Sequence, residues 1–204
     1  RDFDYAETIV NQFVKYSGKP VFAMETATVH PLQAFADLIT IEEHKQTERV
    51  KDVLTWAPHC RCLPQAVPNS FAEWMLAAPD VDLVITHPEG YELDPKFVGN
   101  ARVEYDQRKA FEGADFIYAK NWSNPGVTNP ADYGKITSKD MSWTVDEQHM
   151  AWTDHAKFMH CLPVRRGLIV TDNVIESPDS IAIPEAANRE ISCSVVIKRM
   201  LESM

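Results

Sequence analysis

The stretch Phe116-Ile117-Tyr118-Ala119-Lys120-Asn121-Trp122 shows the pattern that decides the fold class, an apolar run that ends abruptly in polar residues. Three further apolar runs occur along the chain, at residues 53–56, 83–86 and 158–161. Strands that are buried on both faces have such runs, and helix-compatible segments at 70–78 and 106–112 lie between them. This alternation predicts an α/β fold, a doubly wound parallel sheet with flanking helices.

Several local signals extend this pattern along the chain. Residues 21–24, Val-Phe-Ala-Met, are predicted to be a short strand. Apolar residues at helical spacing predict one helix after His30-Pro31, with Leu32, Phe35, Ala36 and Ile39, and another from Pro184, with Ala187, Ile191 and Val195. Asp106 is expected to cap the helix at 106–112, and Gly113 to end it. Residues 5–10 resemble the middle of a helix, so an upstream part is expected to be missing.

Composition narrows the class of protein. The 204 residues are 45% hydrophobic and 25% charged, enough to build a core in one domain and part of another. The formal net charge of -10 disfavours nucleic-acid and anionic-membrane partners, because binding phosphates requires basic residues. No segment approaches the roughly 20 apolar residues of a membrane span, so a soluble cytoplasmic protein is expected. The cysteines are too few and too scattered for a disulfide framework: Cys60, Cys62, Cys161 and Cys193.

The carboxyl ends of the predicted strands are where a ligand is expected, since open α/β sheets bind ligands there. Polar or turn-forming residues follow these strands at 58–59, 87–88, 120–122 and 161–163. Residues 122–136 are rich in Asn, Pro and Gly and are predicted to form a long loop at the same edge. Long loops in that place often act as lids.

Two adjacent arginines, Arg165 and Arg166, follow the last predicted strand. Guanidinium groups at a strand end favour an anionic ligand, because each can pair with a carboxylate or a phosphate. A surface turn with two solvated arginines is the alternative. The adjacent residues His160 and Cys161 should point to opposite faces of their strand, so a cysteine protease pair is not expected.

A second group of candidates precedes the first long helix. His30 and Gln33 lie one helical turn apart and could both direct donors at a carbonyl oxygen, as polarising an acyl centre requires. His30 could equally be a helix cap or a packed residue. Glu25 and Lys120 carry opposite charges that could orient an amino-acid substrate, or could form a surface ion pair.

The segment His59-Cys60-Arg61-Cys62 resembles part of a metal site. A closed zinc site needs four ligands, usually from two separated pairs, and the sequence offers no second pair of suitable spacing. His59 is therefore interpreted as a substrate contact at a strand end. Among the tryptophans, Trp122 is singled out because it follows Lys120 closely.

Two segments in this order, His30-Pro31-Leu32-Gln33 and His160-Cys161-Leu162-Pro163 followed by Arg165, resemble the signature segments of the aspartate/ornithine carbamoyltransferase family. The similarity runs through most of the chain and includes residues 56–59, 63–71, 118–122 and 185–189. The sequence is particularly similar to the branch of this family that carbamoylates N-acylated ornithine, especially N-succinylornithine.

The resemblance implies transfer of a carbamoyl group from carbamoyl phosphate to the side-chain amine of N-succinylornithine. The products would be N-succinylcitrulline and phosphate, in arginine biosynthesis. It also implies that carbamoyl phosphate and N-acylated ornithine are the small-molecule partners, that no metal or organic cofactor is needed, and that the full-length protein is a homotrimer. Positioning and electrostatic stabilisation suit this reaction, because a neutral amine attacks a planar carbonyl and phosphate leaves.

The same resemblance assigns roles to individual residues. The catalytic positions are His30, Gln33, Cys161 and Leu162. Carbamoyl phosphate is expected to be bound by these four together with Arg189. The acylated ornithine is expected to be bound by Glu25, His59, Lys120, Cys161, Leu162 and Arg165.

The sequence departs from the family in two respects. Relatives that use acetylornithine are expected to have a lysine where this chain has Ile169, which favours succinylornithine. The Ser-Thr-Arg-Thr-type loop that grips phosphate does not occur in this sequence, so the chain alone is expected to bind carbamoyl phosphate poorly and to be inactive. Acetylornithine or ornithine as the acceptor, and a truncated, non-catalytic amino-acid-binding fragment, are the alternatives.

The resemblance also divides the chain into parts. Residues 1–50 would be the end of a carbamoyl-phosphate-binding domain with its connecting helix, and residues 51–183 the amino-acid-binding domain. Residues 184–204 would be a C-terminal helix that returns to the first domain. The chain would then be the C-terminal portion of a two-domain transcarbamylase.

Overall fold

The computed structural model describes residues 6–61, 63–124 and 140–204. Its helices are α1 (Thr8–Tyr16), α2 (Pro31–His44), α3 (Ala66–Ala77), α4 (Pro95–Val98), α5 (Gln107–Phe111), α6 (Glu147–Met150), α7 (Asp172–Ile175) and α8 (Ala182–Glu202). A 3-10 helix covers Met141–Trp143. The strands are β1 (Val50–Trp56), β2 (Val81–Thr86), β3 (Arg102–Glu104), β4 (Phe116–Lys120) and β5 (Lys157–Met159).

These strands form one parallel sheet in the order β3-β2-β1-β4-β5. The chain builds outward from β1 through β2 to β3, and then returns to the other side of β1 with β4 and β5. Its direction of winding reverses between β1 and β4, where Trp56 is paired with Lys120. Ligands of open α/β sheets bind in the crevice that such a reversal leaves. The predicted doubly wound parallel sheet is confirmed.

Three of the predicted apolar runs lie within strands as expected: residues 53–56 in β1, 83–86 in β2 and 116–119 in β4. The fourth is only partly a strand, because β5 ends at Met159 and the loop begins at His160.

The sequence predicted one strand that does not form and missed one that does. Residues 21–24 are not a strand; the apolar side chains Val21, Phe22 and Met24 in this segment are exposed. The edge strand β3 was not predicted, because it has only three residues and none of its side chains is fully buried. Runs of apolar residues therefore predict the central strands correctly. They give a false strand at 21–24 and do not reveal the short edge strand β3.

The two faces of the sheet carry separate core layers. On one face Leu54 packs in a cluster with Phe71 of α3. On the other face Val53 packs in a cluster with Phe111 of α5 and Phe158 of β5. Adjacent residues of β1 thus face opposite layers, as the alternation of side chains along a strand requires.

Local turn chemistry agrees with the prediction around α5. The Asp106 side chain accepts hydrogen bonds from the main-chain N–H groups of Arg108 and Lys109, at 3.1 and 3.3 Å. This caps the helix, and Gly113 follows its end with a φ of 69°. Most of the predicted lid at 122–136 lies outside the described residues.

Helix α8 packs against α2 through polar side chains. Asn188 Nδ2 donates to Thr40 Oγ1 at 2.9 Å and to Glu43 Oε2 at 2.8 Å, and Ser192 Oγ donates to the Leu32 carbonyl at 3.0 Å. The apolar residues that predicted this helix lie on its other side, where Ile191 and Val195 are exposed. No helix in the described part of the chain is both long and apolar enough for a membrane span.

Candidate active site

The ends of β1 and β4 are locked side by side by hydrogen bonds. Asn121 Nδ2 donates to the Ala57 carbonyl at 2.7 Å, and Trp56 Nε1 donates to the Trp122 carbonyl at 2.9 Å. Trp122 is fully buried and its own Nε1 donates to the Tyr91 carbonyl at 2.7 Å. Trp122 therefore supports the floor of the crevice from inside the core, and its side chain is shielded from a ligand.

The last residue of β4 reaches the loop after β5. Lys120 Nζ lies 3.2 Å from Cys161 Sγ. Cys161 is buried, and Leu162 beside it is half-buried with a positive φ of 45°. The two strand ends that the sequence singled out thus meet in the structure, with a cation at their junction.

His160 stabilises this loop instead of acting on Cys161. Its ring is fully buried, and its Nδ1 accepts from the main-chain N–H of Leu162 at 2.9 Å. Burial, together with the positive charge of Lys120, holds the pKa of His160 well below its ordinary value. A neutral ring that accepts at Nδ1 carries its proton on Nε2. The ring therefore fixes the turn that contains Cys161 and Leu162.

His30 caps the start of α2 from inside the molecule. Its main-chain N–H donates to Ser70 Oγ at 2.7 Å, and its side chain is buried with Nε2 3.8 Å from Glu25 Oε2. Burial lowers the pKa of His30; Glu25 opposes this, while Arg189 and Lys120 lower the pKa further. The ring is neutral near pH 7, and those three charged side chains surround it.

The Gln33 amide is clamped between acids and a base. Its Nε2 donates to Asp37 Oδ1 at 2.6 Å and to Glu185 Oε1 at 3.3 Å, while its Oε1 accepts from Arg189 Nη1 at 2.5 Å. A guanidinium group only donates, so the amide oxygen must face Arg189 and the nitrogen must face the acids. Both N–H groups of Gln33 donate to acids inside the protein, and that Gln33 directs a donor at the substrate stays a prediction.

Buried acids lie behind this amide and were missed by the sequence analysis. Asp37 and Glu185 have no exposed surface. Burial raises the pKa of Asp37 to about 7, although the hydrogen bond from Gln33 lowers it. Burial and the nearby Asp37 raise the pKa of Glu185 well above its ordinary value. Their spacing held a signal, since Asp37 lies one helical turn after Gln33, and Glu185 one turn before Arg189.

The adjacent arginines have different environments. Arg166 forms ion pairs with Asp172, at 3.1 Å, and with Glu176. The side chain of Arg165 is exposed and has no ion pair or hydrogen bond with the described residues, whereas its main-chain carbonyl accepts from the N–H groups of Leu168 and Ile169. Arg166 is therefore paired at the surface, and anion binding by Arg165 stays a prediction.

His59 lies near the same charges. Burial lowers its pKa, and Arg165 and Lys120 add to that effect, so both cations lie near this ring. Its Nδ1 accepts from the main-chain N–H of Arg61 at 3.0 Å. Cys62 lies outside the described residues, and within those residues no group of three or more His, Cys, Asp or Glu could hold a metal ion.

The predicted site residues thus fall into two adjoining groups. One group contains Gln33 and Arg189, joined by a hydrogen bond, with His30 and Glu25 beside them. The other contains Lys120 and Cys161 in contact, with Leu162, His59 and Arg165 nearby. The charges of Lys120 and Arg189 both act on His30, so the two groups lie close to each other at the carboxyl edge of the sheet, where a ligand cleft is expected. The cleft is rich in cations and in fixed polar groups, and is therefore suited to a small anionic ligand.

The chain is similar in sequence to known carbamoyltransferases. A protein of Bacteroides thetaiotaomicron described as N-succinylornithine carbamoyltransferase is 71% identical over 204 residues, which are 100% of this chain and 63% of that protein. The N-acetylornithine carbamoyltransferase of Xylella fastidiosa is 38% identical over 203 residues, covering 92% of this chain and 60% of that protein. The chain therefore spans less than two thirds of the length of these relatives.

A solved structure gives the same picture. A variant of N-acetyl-L-ornithine transcarbamylase, complexed with carbamyl phosphate and N-succinyl-L-norvaline, superposes with a TM-score of 0.87 at 34% identity. The match covers 98% of this chain and 64% of that one. The family profile described as Aspartate/ornithine carbamoyltransferase, Asp/Orn binding domain, matches residues 65–198. The chain therefore belongs to the aspartate/ornithine carbamoyltransferase family.

Proposed function

We propose that the protein containing this chain transfers the carbamoyl group of carbamoyl phosphate to the side-chain amine of N-succinylornithine. The observation that carries this proposal is the contact of Lys120 with Cys161, close to Arg165, whose side chain has no ion pair or hydrogen bond among the described residues. N-succinylornithine has two carboxylates, and two cations at one cleft can each take one. The reaction would serve arginine biosynthesis.

The choice of acyl group rests on two further points. The Bacteroides relative, at 71% identity, is a succinylornithine enzyme, whereas the Xylella relative, at 38%, uses acetylornithine. In addition, Ile169 stands where acetylornithine enzymes are expected to have a lysine, and it is buried in a core cluster. An acetyl group has no charge of its own, so the second cation of the cleft would be left unpaired with that acceptor.

The chemistry needs little beyond positioning. The neutral amine of the acceptor attacks the carbamoyl carbon, a C–N bond forms, the C–O bond to phosphate breaks, and the amine gives up a proton. Negative charge grows on the carbonyl oxygen and on the departing phosphate, and Arg189 beside His30 would stabilise it. Main-chain carbonyls at Cys161 and Leu162 would accept from the attacking amine. No side chain is required as a nucleophile.

Gln33 takes a role different from the one predicted. Its oxygen faces Arg189, and one lone pair of that oxygen remains free, because the amide oxygen has two. We assign it to the N–H2 of the carbamoyl group. The bond would orient the planar carbamoyl group without polarising its carbonyl.

The proposal extends to the division of the chain. Large exposed apolar side chains concentrate in residues 1–50 and 184–204: Ile9, Phe13, Val14, Tyr16, Val21, Phe22, Met24, Ile191, Val195, Ile197, Leu201 and Met204. A carbamoyl-phosphate domain packed on both ends would cover them, and residues 51–183 would remain the amino-acid domain. The sequence contains no Ser-Thr-Arg-Thr segment, so this domain would also supply the phosphate grip.

The remaining parts of the proposal concern the setting. The full-length protein would be a cytoplasmic homotrimer, as the resemblance to the family implies. The net charge of -10 of these 204 residues supports small-molecule partners over nucleic acid or anionic membranes.

Product analysis tests the reaction. The full-length protein, incubated with carbamoyl phosphate and N-succinylornithine, should release phosphate and N-succinylcitrulline in equal amounts, measured by a phosphate assay and mass spectrometry. Binding of N-succinylornithine without any product would contradict the proposal and favour a non-catalytic amino-acid-binding protein.

A further inference from the structure

Glu185 lies where three parts of the candidate site meet. It is in the first turn of α8, its side chain has no exposed surface, and Arg189 follows one helical turn later. Its Oε1 accepts from Gln33 Nε2 of α2 at 3.3 Å. Its Oε2 accepts from the main-chain N–H of His160, after β5, at 2.8 Å. A single carboxyl therefore ties together both signature segments and the helix that carries Arg189.

Each of these bonds controls the direction of a group at the cleft. The bond to Gln33, with that from Asp37, holds the amide nitrogen inward and leaves the oxygen toward Arg189. The bond to His160 fixes the main chain two residues before Leu162, in the same turn that the His160 ring stabilises. Loss of Glu185 would release the amide and the loop together.

The surroundings of Glu185 explain how a buried acid is tolerated. Asp37 of α2 is close by, while Tyr118 of β4 and Cys161 also face the pair. Two carboxylates in one dry pocket repel each other, so the pair retains a proton to higher pH than a free acid does. The pocket then avoids two uncompensated charges.

We propose that Glu185 is a positioning residue for carbamoyl transfer, which holds the Gln33 oxygen and the Cys161-Leu162 main chain in their working directions. The inference rests on the proposed function, because those directions matter only if the two groups contact the reactants. Glu185 itself is buried behind them and touches no reactant.

Three variants of the full-length protein test this role. E185A should lower kcat about 100-fold, the cost of a small displacement of reacting groups, with the acceptor KM changed less than about threefold. E185Q should lose about tenfold, because its NH2 group replaces one of the two carboxylate oxygens and leaves one of the two N–H donors facing another donor. N188A is the matched control, since Asn188 is buried on the same helix and bonds α2 only at Thr40 and Glu43. Its kcat should stay within about threefold of wild type.

Failure of the Glu185 role and failure of the proposed function give different results. If E185A does not fold, E185Q alone decides, and a kcat for E185Q equal to that of N188A would overturn the proposal. If the wild-type protein forms no product with any acceptor, the proposed function fails by itself. Hydrogen exchange in the 204-residue chain then tests Glu185: the His160 amide should exchange at least about tenfold faster in E185Q than in N188A. Equal exchange rates would overturn the positioning role.

Discussion

Lys120 Nζ lies 3.2 Å from Cys161 Sγ, a contact between side chains that are 41 residues apart in sequence. The parallel pairing of β4 with β5 brings them together, since both follow the carboxyl ends of neighbouring strands. The contact places a cation of the proposed acceptor pocket beside the loop whose carbonyls would receive the attacking amine. Cys161 is thus a candidate for a supporting side chain, not for a nucleophile.

Substitution of Cys161 tests that distinction. C161A should reduce kcat by less than about 100-fold, because the main chain of the loop is retained, whereas loss of an essential nucleophile costs about 10⁴-fold or more. Steady-state kinetics of the full-length protein measure it, with C193A, half-buried on α8, as the control thiol. A complete loss of turnover in folded C161A would contradict a mechanism without a covalent intermediate.

Arg165 and Arg166 form a matched pair for a test of acceptor binding. R165A should weaken binding of N-succinylornithine by about 2 kcal/mol, because the acceptor loses the partner of one carboxylate. R166A removes only exposed ion pairs to Asp172 and Glu176, and its affinity should stay within about threefold of wild type. Calorimetric titration of the full-length variants gives both values. Equal affinities would make Arg165 a solvated surface residue like its neighbour.

The raised pKa of Asp37, about 7, gives a stability that depends on pH. The folded chain keeps this proton at pH values where the unfolded chain, with a pKa near 4, has lost it. Stability from this group is therefore greatest below about pH 4 and is lost as the pH rises toward 7. At about 1.4 kcal/mol for each pH unit, the upper limit of the loss is about 4 kcal/mol.

Asparagine in place of Asp37 keeps the shape of the side chain and has no titratable proton. D37N should therefore show a smaller fall in the free energy of unfolding between pH 5 and 7.5 than wild type, measured by urea denaturation of the 204-residue chain. Parallel pH profiles for the two proteins would contradict the assignment of a retained proton to Asp37.

Asp52 is a buried acid in β1. Its carboxyl lies inside β1, both of its oxygens lack hydrogen bonds among the described residues, and burial raises its pKa well above the ordinary value. D52L should increase the free energy of unfolding by about 1 to 3 kcal/mol, because an unsatisfied polar group is replaced by an apolar one. The gain should be larger at pH 8 than at pH 5, since the wild type resists losing its proton.

A second aspartate serves as the control for D52L. Asp115 accepts from the main-chain N–H of Lys51 at 2.7 Å, so D115L should destabilise the chain by about 1 kcal/mol. Urea denaturation of both variants makes the comparison. If D52L destabilised the chain as D115L does, Asp52 would have a partner that its surroundings do not reveal.

Local patterns in the sequence predicted the part of the fold that is buried on both sides. The runs in β1, β2 and β4 are continuous because every side chain meets a core layer. The buried face of α8 could not be predicted from apolar spacing. It packs through the hydrogen bonds of Glu185, Asn188 and Ser192. The apolar residues Ile191 and Val195 are exposed on the other side. Periodicity identifies a helix and cannot say which face another part of the protein will cover.

The candidate site shows the same division. The residues that carry charge or follow strand ends could be named from the sequence, and the structure brings Lys120 to Cys161 and Gln33 to Arg189. The orientation of Gln33 could not be predicted, because it depends on Glu185, which is 152 residues away. Contacts between segments distant in sequence thus determine how the Gln33 side chain is oriented, and that orientation determines whether its oxygen or its nitrogen can face a ligand.

Acceptor specificity is the most direct measure of the central claim. We would determine kcat/KM of the full-length protein for N-succinylornithine, N-acetylornithine and ornithine at saturating carbamoyl phosphate. The account predicts that N-succinylornithine exceeds the other two by at least about 100-fold, since only it satisfies both cations of the cleft. A kcat/KM for N-acetylornithine or ornithine equal to or above that for N-succinylornithine would contradict it.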